Sequence, residues 1–195
     1  MFINSDLFFL ALLSYTVGSI PFGLIISIIM NKEDPRLTGS KNIGATNIAR
    51  TSGWKLGLLT LISDISKSYI PIYFTMINHN EHLNEVMLFL ILGHLFPIWL
   101  KFRGGKGVAV FIGALLAYNP VNAIVFLISW LIFALIFKYS SLSAILATFI
   151  NMILIISMDQ NYLIFIVISA LIVFKHIPNI KRLLNGKESR INFKK

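Results

Sequence analysis

The sequence contains no cysteine, and this absence excludes several kinds of chemistry at once. Without a thiol the chain cannot form a disulfide, a zinc–thiolate site or a cysteine acyl-enzyme intermediate. Acidic residues are also scarce, with 8 Asp and Glu against 17 Lys and Arg. All charged residues together make up 13% of the chain, whereas about 25% is usual in a soluble domain. The composition therefore excludes an ordinary soluble domain, which needs more charge to cover its surface.

Apolar residues take the place of the missing charges, at 56% of the chain with a mean hydropathy of +0.79. A membrane-spanning helix needs about 20 apolar residues. The apolar runs are 7–30, 54–77, 86–100, 107–118, 121–137, 142–158 and 162–174. We therefore predict an all-α integral membrane protein of about seven transmembrane helices, forming one domain over residues 1–195. Several runs are too short for a straight span, which predicts short or broken helices.

The first six residues lack the positive charge that begins a cleaved signal peptide, since Asp6 is their only charged side chain. The first apolar run is therefore expected to remain in the mature protein.

Lysine and arginine are unevenly distributed, and their distribution predicts the orientation in the membrane. Of the 17 basic residues only Lys67 falls inside an apolar run, with Lys55 at a boundary. The others occupy the segments 31–53, 101–106, 138–141 and 175–195, whereas the segments 78–85, 119–120 and 159–161 have none. The positive-inside rule then predicts an N-terminus outside and a cytoplasmic C-terminus. We interpret the net charge of +9 as basic residues that lie against anionic lipids at that face, and not as a nucleic-acid-binding surface.

The first polar segment has the composition of an anion-binding loop. Residues 39–50 read GSKNIGATNIAR. Glycine lets backbone amides approach a phosphate, and small hydroxyl and amide side chains add donors. The candidate residues are Ser40, Asn42, Gly44, Thr46, Asn47 and Arg50. The alternative is an ordinary solvated loop.

The second polar segment ends in Gly-Gly-Lys-Gly, at 104–107, directly before an apolar run. A glycine-rich helix start combines free N–H groups, the positive end of the helix dipole and a lysine ammonium. Gly105 and Lys106 are therefore candidates for binding an anion. The alternative is a glycine turn with basic residues that set the topology, and Lys101 and Arg103 fit that role.

The third and fourth polar segments contribute serine, histidine and asparagine. They contain Ser141, His176, Asn179 and Glu188. Serines at a helix start are usually caps, and one histidine beside a span is usually structural. All four segments nevertheless emerge on the same predicted face, and together they suit a phosphorylated ligand better than a metal ion. On the opposite face, residues 79–85 contain two His and two Glu, which we interpret as a hydrophilic turn rather than a metal site.

Asp64 and Lys67 are ionisable residues inside an apolar run. Residues three apart share a helix face, and charge within a span suggests a functional role. A buried ion pair is an equal alternative.

These motifs together resemble the bacterial acyl-phosphate:glycerol-3-phosphate acyltransferases, over nearly the whole chain. The matching motifs are 18–23 (GSIPFG), 39–47 (GSKNIGATN) with Arg50, Asp64-x-x-Lys67, 93–97 (GHLFP), 104–109 (GGKGVA) and His176-x-x-Asn179. Lys41 and Ser68 stand where the family usually has glycine. A more familiar acyltransferase signature, His followed five residues later by Asp, is absent, because Asn84, Met87, Trp99 and Lys181 occupy those positions.

The resemblance implies acyl transfer from a fatty acyl phosphate to glycerol 3-phosphate, giving lysophosphatidic acid and phosphate. It implies no cofactor or metal, and a location in the bacterial inner membrane with the active site at the cytoplasmic face. By the same resemblance, Ser40, Asn42 and Gly44 hold the acyl phosphate, and Arg50, Lys106 and Ser141 hold the phosphate of glycerol 3-phosphate. His176 and Asn179 lie near the attacking hydroxyl. Two roles stay open for His176, general base or orientation of the hydroxyl while the donor phosphate takes the proton.

Two other classes of function fit part of the sequence. A transporter for an organic anion would also use cations, broken helices and glycine loops. Its binding site should lie near the bilayer midplane, however, whereas most polar residues here lie at one predicted face. A structural scaffold gives no reason for the four polar segments.

Overall fold

A computed structural model describes residues 5–158 and 162–192, and the predicted external segment 159–161 lies outside them. Within this part of the chain the secondary structure is entirely helical, which confirms the predicted all-α class. The helices are α1 (Ser5–Gly18), α2 (Phe22–Ile29), α3 (Ala45–Ser52), α4 (Trp54–Asn78), α5 (Leu83–Leu95), α6 (Val108–Tyr118), α7 (Pro120–Phe137), α8 (Ser140–Met158), α9 (Tyr162–Lys175) and α10 (Ile177–Leu184).

The first predicted span is bent, and the last is followed by a bend into a short helix within the predicted polar tail. The first is split into α1 and α2, at an angle of 42°. Pro21 stands immediately before α2, and it cannot donate the backbone hydrogen bond that a continuous helix would need there. The helix α9 continues into α10 at 51°, and Pro178 lies in the first turn of α10. Prolines therefore lie at both breaks, and neither break falls within one of the short apolar runs.

The described helices support a membrane protein with fewer clear spans than the sequence predicts. Three segments are long and apolar enough to cross a bilayer, Asn80–Leu100, Pro120–Phe137 and Ser140–Ser157, and there are five if each bent pair counts as one span. The apolar helix α6 is shorter, with 11 residues. A count of seven spans and the orientation of the termini stay predictions. The short helices α3 and α10 lie in segments that were predicted to be a polar loop and a polar tail.

The chain divides into two compact units, Met1–Tyr118 and Asn119–Lys195. In the first unit, α1 packs against α5 and α4 packs against α6. Glycine permits both contacts, because a Cβ at Gly93 would collide with the backbone of Tyr15 and one at Gly113 with the backbone of Ile65. Such close backbone approach is typical of helix pairs in membranes. The prediction of one functional domain over residues 1–195 is separate from this division and stays a prediction.

The second unit buries several polar side chains and exposes large apolar ones. Between α7 and α8, the buried amide of Asn151 donates to the carbonyl oxygen of Asn122 at 2.7 Å. The opposite face of α7 exposes Ile128, Leu131 and Leu135, each at least half accessible. This arrangement is the reverse of a water-soluble helix and is suited to a lipid environment, where helix contacts depend on packing and hydrogen bonds.

Candidate active site

In the first unit, the loop before α3 is organised by the side chain of Asn47. Its Oδ1 accepts a hydrogen bond from the backbone N–H of Ser40 at 2.8 Å. Its Nδ2 lies 3.0 Å from the carbonyl oxygen of Pro35, 3.2 Å from that of Thr38 and 2.8 Å from that of Asn42. Asn47 is 2% exposed. The amide therefore closes the loop onto the helix that follows it.

The backbone of the same loop contains two left-handed residues. Gly39 has φ 58° and Lys41 has φ 59°. Glycine adopts this region without cost, whereas an L-residue with a side chain does so less readily. Lys41 is the position at which the sequence departs from the resembled family, which usually has glycine. The structure thus places a lysine in the backbone conformation that the family's glycine favours, and its side chain is exposed.

The remaining loop candidates lie around the start of α3. The side chain of Asn42 accepts from the backbone N–H of Gly44 at 3.0 Å, and Gly44 is the N-cap residue of α3. Thr46 in the first turn and Arg50 in the last turn are both exposed. The start of α3 thus presents backbone N–H groups beside exposed polar side chains, an arrangement suited to an anion.

The Gly-Gly-Lys-Gly segment lies against the end of α5, still in the first unit. The backbone N–H of Gly104 donates to the carbonyl oxygen of Leu95 at 3.2 Å, and that of Gly105 donates to the carbonyl oxygen of His94 at 3.1 Å. Lys106 follows, and α6 begins two residues later at Val108. The predicted placement of Lys106 at a helix start is therefore confirmed.

Asp64 and Lys67 form the buried ion pair that was one of the two interpretations. Lys67 Nζ lies 2.7 Å from Asp64 Oδ1, and the two side chains are 2% and 3% exposed. The ammonium also donates to the carbonyl oxygen of Ile20 at 2.7 Å and lies 3.0 Å from His94 Nδ1. We call Asp64, Lys67 and His94 the buried network. Sequence reasoning gave no role to His94, because its partner is 27 residues away.

In the second unit, Glu188 connects three of the side chains from the third and fourth segments. Its Oε1 accepts from Ser141 Oγ at 2.7 Å and from Asn179 Nδ2 at 2.6 Å, and its Oε2 accepts from Arg182 Nε at 2.8 Å. Burial raises the pKa of Glu188, but these hydrogen bonds and the charge of Arg182 outweigh it and hold the pKa below its usual value. Glu188 is therefore a carboxylate at neutral pH and orients the serine and asparagine.

His176 lies between α9 and α10 and is 2% exposed. Its Nδ1 is 2.8 Å from the carbonyl oxygen of Ile172. A carbonyl oxygen only accepts, so Nδ1 carries a proton, and in the neutral ring the lone pair is on Nε2. Asn179, in the first turn of α10, has a buried Oδ1 without a hydrogen-bond partner among the described residues. An imidazole lone pair and an amide oxygen are both suited to accept a hydrogen bond from a hydroxyl.

The structure thus brings the predicted residues together in sets. Ser40, Asn42 and Gly44 share the loop before α3 in the first unit, and Asn47 holds that loop from the first turn of α3. Ser141, Asn179 and Glu188 are in direct contact in the second unit.

The chain is similar to known proteins over almost its whole length. The profile of a family described as glycerol-3-phosphate acyltransferase matches residues 8–186. The chain is 45% identical over 181 residues to the glycerol-3-phosphate acyltransferase of Pelagibacter ubique, covering 92% of this chain and 95% of that one. It is 44% identical over 188 residues to that of Bartonella quintana, covering 92% and 89%.

Its fold is also similar to the crystal structure of PlsY, an integral membrane glycerol 3-phosphate acyltransferase, in two forms. The glycerol 3-phosphate form has a TM-score of 0.91 at 35% identity and covers 96% of both chains. The lysophosphatidic acid form has a TM-score of 0.89 at 34% identity with the same coverage.

Proposed function

The chain belongs to the glycerol-3-phosphate acyltransferase family, and we propose that its acyl donor is a fatty acyl phosphate. It is an integral membrane enzyme that acylates glycerol 3-phosphate to lysophosphatidic acid, a step of phospholipid biosynthesis. The observation that carries this function is the match in fold over 96% of both chains to a glycerol 3-phosphate acyltransferase. An acyl phosphate donor is supported by the motifs that the chain shares with acyl-phosphate-dependent enzymes, and direct transfer from such a donor is compatible with a chain without cysteine.

An acyl phosphate is a mixed anhydride and is already activated for transfer. A hydroxyl oxygen of glycerol 3-phosphate attacks the carbonyl carbon, a new ester bond forms, and the bond between the carbonyl carbon and the phosphate oxygen breaks. The hydroxyl proton leaves with the attack, and inorganic phosphate is the leaving group. No covalent enzyme intermediate is needed. The tasks left to the protein are to hold two anions close together and to stabilise the developing negative charge.

The first unit supplies groups suited to the phosphates. We assign Ser40, Asn42 and the backbone around Gly44 to the phosphate of the acyl donor, because the loop is already fixed by Asn47. Arg50 and Lys106 are assigned to the phosphate of glycerol 3-phosphate. We also assign Thr46, which follows the start of α3, and Gly105, which precedes Lys106, to substrate binding. The amide of Asn47 contacts the loop itself, so its contribution to binding is the shape of the loop.

The second unit supplies groups suited to the attacking hydroxyl. With Nδ1 donating to Ile172, a neutral His176 accepts the hydroxyl hydrogen bond through Nε2. Asn179 and Ser141 both donate to the carboxylate of Glu188. Ser141 uses its only hydroxyl proton there, so its contribution is to hold Glu188, which in turn orients the amide of Asn179. We assign His176 the general-base role.

The first experiment measures the proposed reaction itself. Purified protein in detergent, given acyl phosphate and glycerol 3-phosphate, should release lysophosphatidic acid and one equivalent of phosphate. A matched reaction with acyl coenzyme A or acyl carrier protein as donor should give no product. If an acyl thioester supports turnover and acyl phosphate does not, the proposed donor is wrong. If neither donor is used and vesicles containing the protein instead exchange organic phosphate, the transporter interpretation replaces the enzyme.

Replacing Lys106 with alanine is expected to weaken the use of glycerol 3-phosphate. A charge-assisted hydrogen bond to phosphate contributes about 1.5–3 kcal/mol, so kcat/KM for glycerol 3-phosphate should fall by about one to two decades. Initial rates measured over a range of acceptor concentrations test this. Lys101→Ala is the matched control, because Lys101 is an exposed lysine of the same segment, and its kinetics should be normal. If both variants have the same kcat/KM, Lys106 does not bind substrate and only helps to set the orientation in the membrane.

We further propose that the N-terminus is outside the bacterial inner membrane and that the residues assigned to substrate face the cytoplasm. Because the chain contains no cysteine, single cysteines report sidedness cleanly. Suitable exposed positions are Glu33 and Asn185 for the inside and Asn80 for the outside.

An impermeant thiol reagent added to intact cells should label only the variant Asn80→Cys. The variants Glu33→Cys and Asn185→Cys should react only after the membrane is broken. Labelling of either of these two in intact cells would contradict the proposed orientation.

A further inference from the structure

The buried network of Asp64, Lys67 and His94 reaches from the middle of α4 to the segment that carries Lys106. We propose that His94 is a positioning residue, which Lys67 holds in one orientation so that the backbone before Lys106 is fixed for binding the anionic acceptor. This inference rests on the proposed function, and it assigns to the buried network a part in acceptor binding.

The first step is the orientation of the histidine ring. An ammonium has three N–H donors and no acceptor. Lys67 directs one of them to the carbonyl oxygen of Ile20 at 2.7 Å and one to His94 Nδ1 at 3.0 Å, and its Nζ is paired with Asp64 Oδ1 at 2.7 Å. Nδ1 is therefore the acceptor, and the neutral ring of His94 carries its proton on Nε2. Contacts from α4 and from the break between α1 and α2 thus fix the ammonium that sets the ring.

The second step is the contact between the ring and the glycine segment. Gly105 is buried, and a Cβ at this position would collide with Nε2 and Cε1 of His94. The ring therefore occupies the space that a side chain would fill. The backbone of the same histidine accepts the N–H of Gly105 at 3.1 Å. Ring and carbonyl together define where the chain passes immediately before Lys106.

The third step concerns what a buried ion pair contributes. Compared with apolar residues of similar size, a buried ion pair adds little or no net stability, because both charges lose their hydration. Net stability therefore does not explain why a lysine and an aspartate are buried here, and another role is needed. The ion pair and two directed hydrogen bonds fix an orientation that an apolar contact does not specify. A small displacement of a binding group is costly, since about 1 Å can reduce a rate by about a hundredfold.

His94→Asn tests the proposal with the smallest change. The shorter amide retains an acceptor for Lys67, but it leaves the space beside Gly105 unfilled. We expect KM for glycerol 3-phosphate to rise about tenfold, while KM for acyl phosphate and the melting temperature in detergent change little. Ser68→Ala is the control, because it removes a buried hydrogen bond from α4 to the carbonyl oxygen of Val110 in α6 at 2.7 Å without touching the network. It should leave both KM values unchanged.

A double-mutant cycle then separates positioning from general damage. If His94 acts through Lys106, His94→Asn should raise KM for glycerol 3-phosphate by less than about twofold in a Lys106→Ala background. Calorimetric titration with glycerol 3-phosphate replaces KM if that background turns over too slowly. A tenfold effect in both backgrounds, or a rise in both KM values together, would overturn the proposal.

A second variant covers the case in which His94→Asn does not fold. Asp64→Asn combined with Lys67→Met leaves the imidazole ring of His94 in place but removes the ammonium that orients it. This double variant should raise KM for glycerol 3-phosphate about tenfold without raising KM for acyl phosphate. In a Lys106→Ala background it should raise KM for glycerol 3-phosphate by less than about twofold. A normal KM for glycerol 3-phosphate in this variant would refute the positioning role. Wild-type protein that does not acylate glycerol 3-phosphate would contradict the proposed function instead.

Discussion

Glu188→Ala is expected to destabilise the second unit severely and to abolish activity. The alanine leaves Ser141 and Asn179, both nearly fully buried, without the acceptor that the carboxylate supplies at 2.7 Å and 2.6 Å. Hydrogen bonds to a charged group contribute about 1.5–3 kcal/mol each, so losing two of them costs about 3–6 kcal/mol. Thermal unfolding in detergent, together with the acylation rate, measures the effect.

Two further variants make this prediction specific. Glu188→Gln keeps an oxygen acceptor but loses the charge beside Arg182, so its loss of stability should be intermediate. Arg190→Ala is the matched control, because this exposed residue of the same terminal segment interacts with Tyr139 alone among the contacts described for it, and its removal should change stability by less than about 0.5 kcal/mol. Wild-type stability in Glu188→Ala would show that the carboxylate does not organise this part of the protein.

The effect of Glu188 should also depend on pH. The folded-state pKa of Glu188 lies below its usual value of 4.5. A carboxyl group of this kind contributes stability that is present in full above the unfolded-state pKa and is lost as the pH falls through the folded-state pKa. The difference in stability between wild type and Glu188→Gln should therefore be constant near neutral pH. It should shrink as the pH falls below about 4.5.

The class of the protein could be predicted because it depends on composition and on local runs of apolar residues. The ion pair of Asp64 and Lys67 could also be anticipated, since residues three apart on a helix are neighbours. The helices α3 and α10 could not, because each has only eight residues and lies in a segment rich in polar residues. Helices this short gain little from propensity alone and depend on their tertiary contacts.

The candidate residues could be identified by type, but their individual tasks could not. Asn47 stands among polar residues that all suit an anion, and nothing in that pattern shows that its amide contacts the backbone of the loop before α3. The role of His94 could not be predicted either, because its contact with Lys67 depends on how α4 and α5 pack. Lys41 was recognised as a departure from the family, and its left-handed backbone shows that the loop accommodates the substitution.

Removing one member of the Asp64–Lys67 pair is expected to destabilise the protein more than removing both. Each side chain is at most 3% exposed and lies 2.7 Å from its partner. Asp64→Asn alone leaves an ammonium that lacks its counter-charge, and Lys67→Met alone leaves an uncompensated carboxylate. Breaking a buried pair in this way costs about 3–5 kcal/mol, whereas replacing the whole pair with uncharged residues is often close to neutral.

The three variants form a cycle that can be measured by thermal unfolding in detergent. The double variant Asp64→Asn with Lys67→Met should be more stable than either single variant, and the coupling between the two positions should be large because the residues are in direct contact. The carbonyl oxygen of Ile20 loses its donor in both variants that lack Lys67, so this cost cancels when those two are compared. A double variant whose loss equals the sum of the single losses would show that the two charges do not stabilise each other.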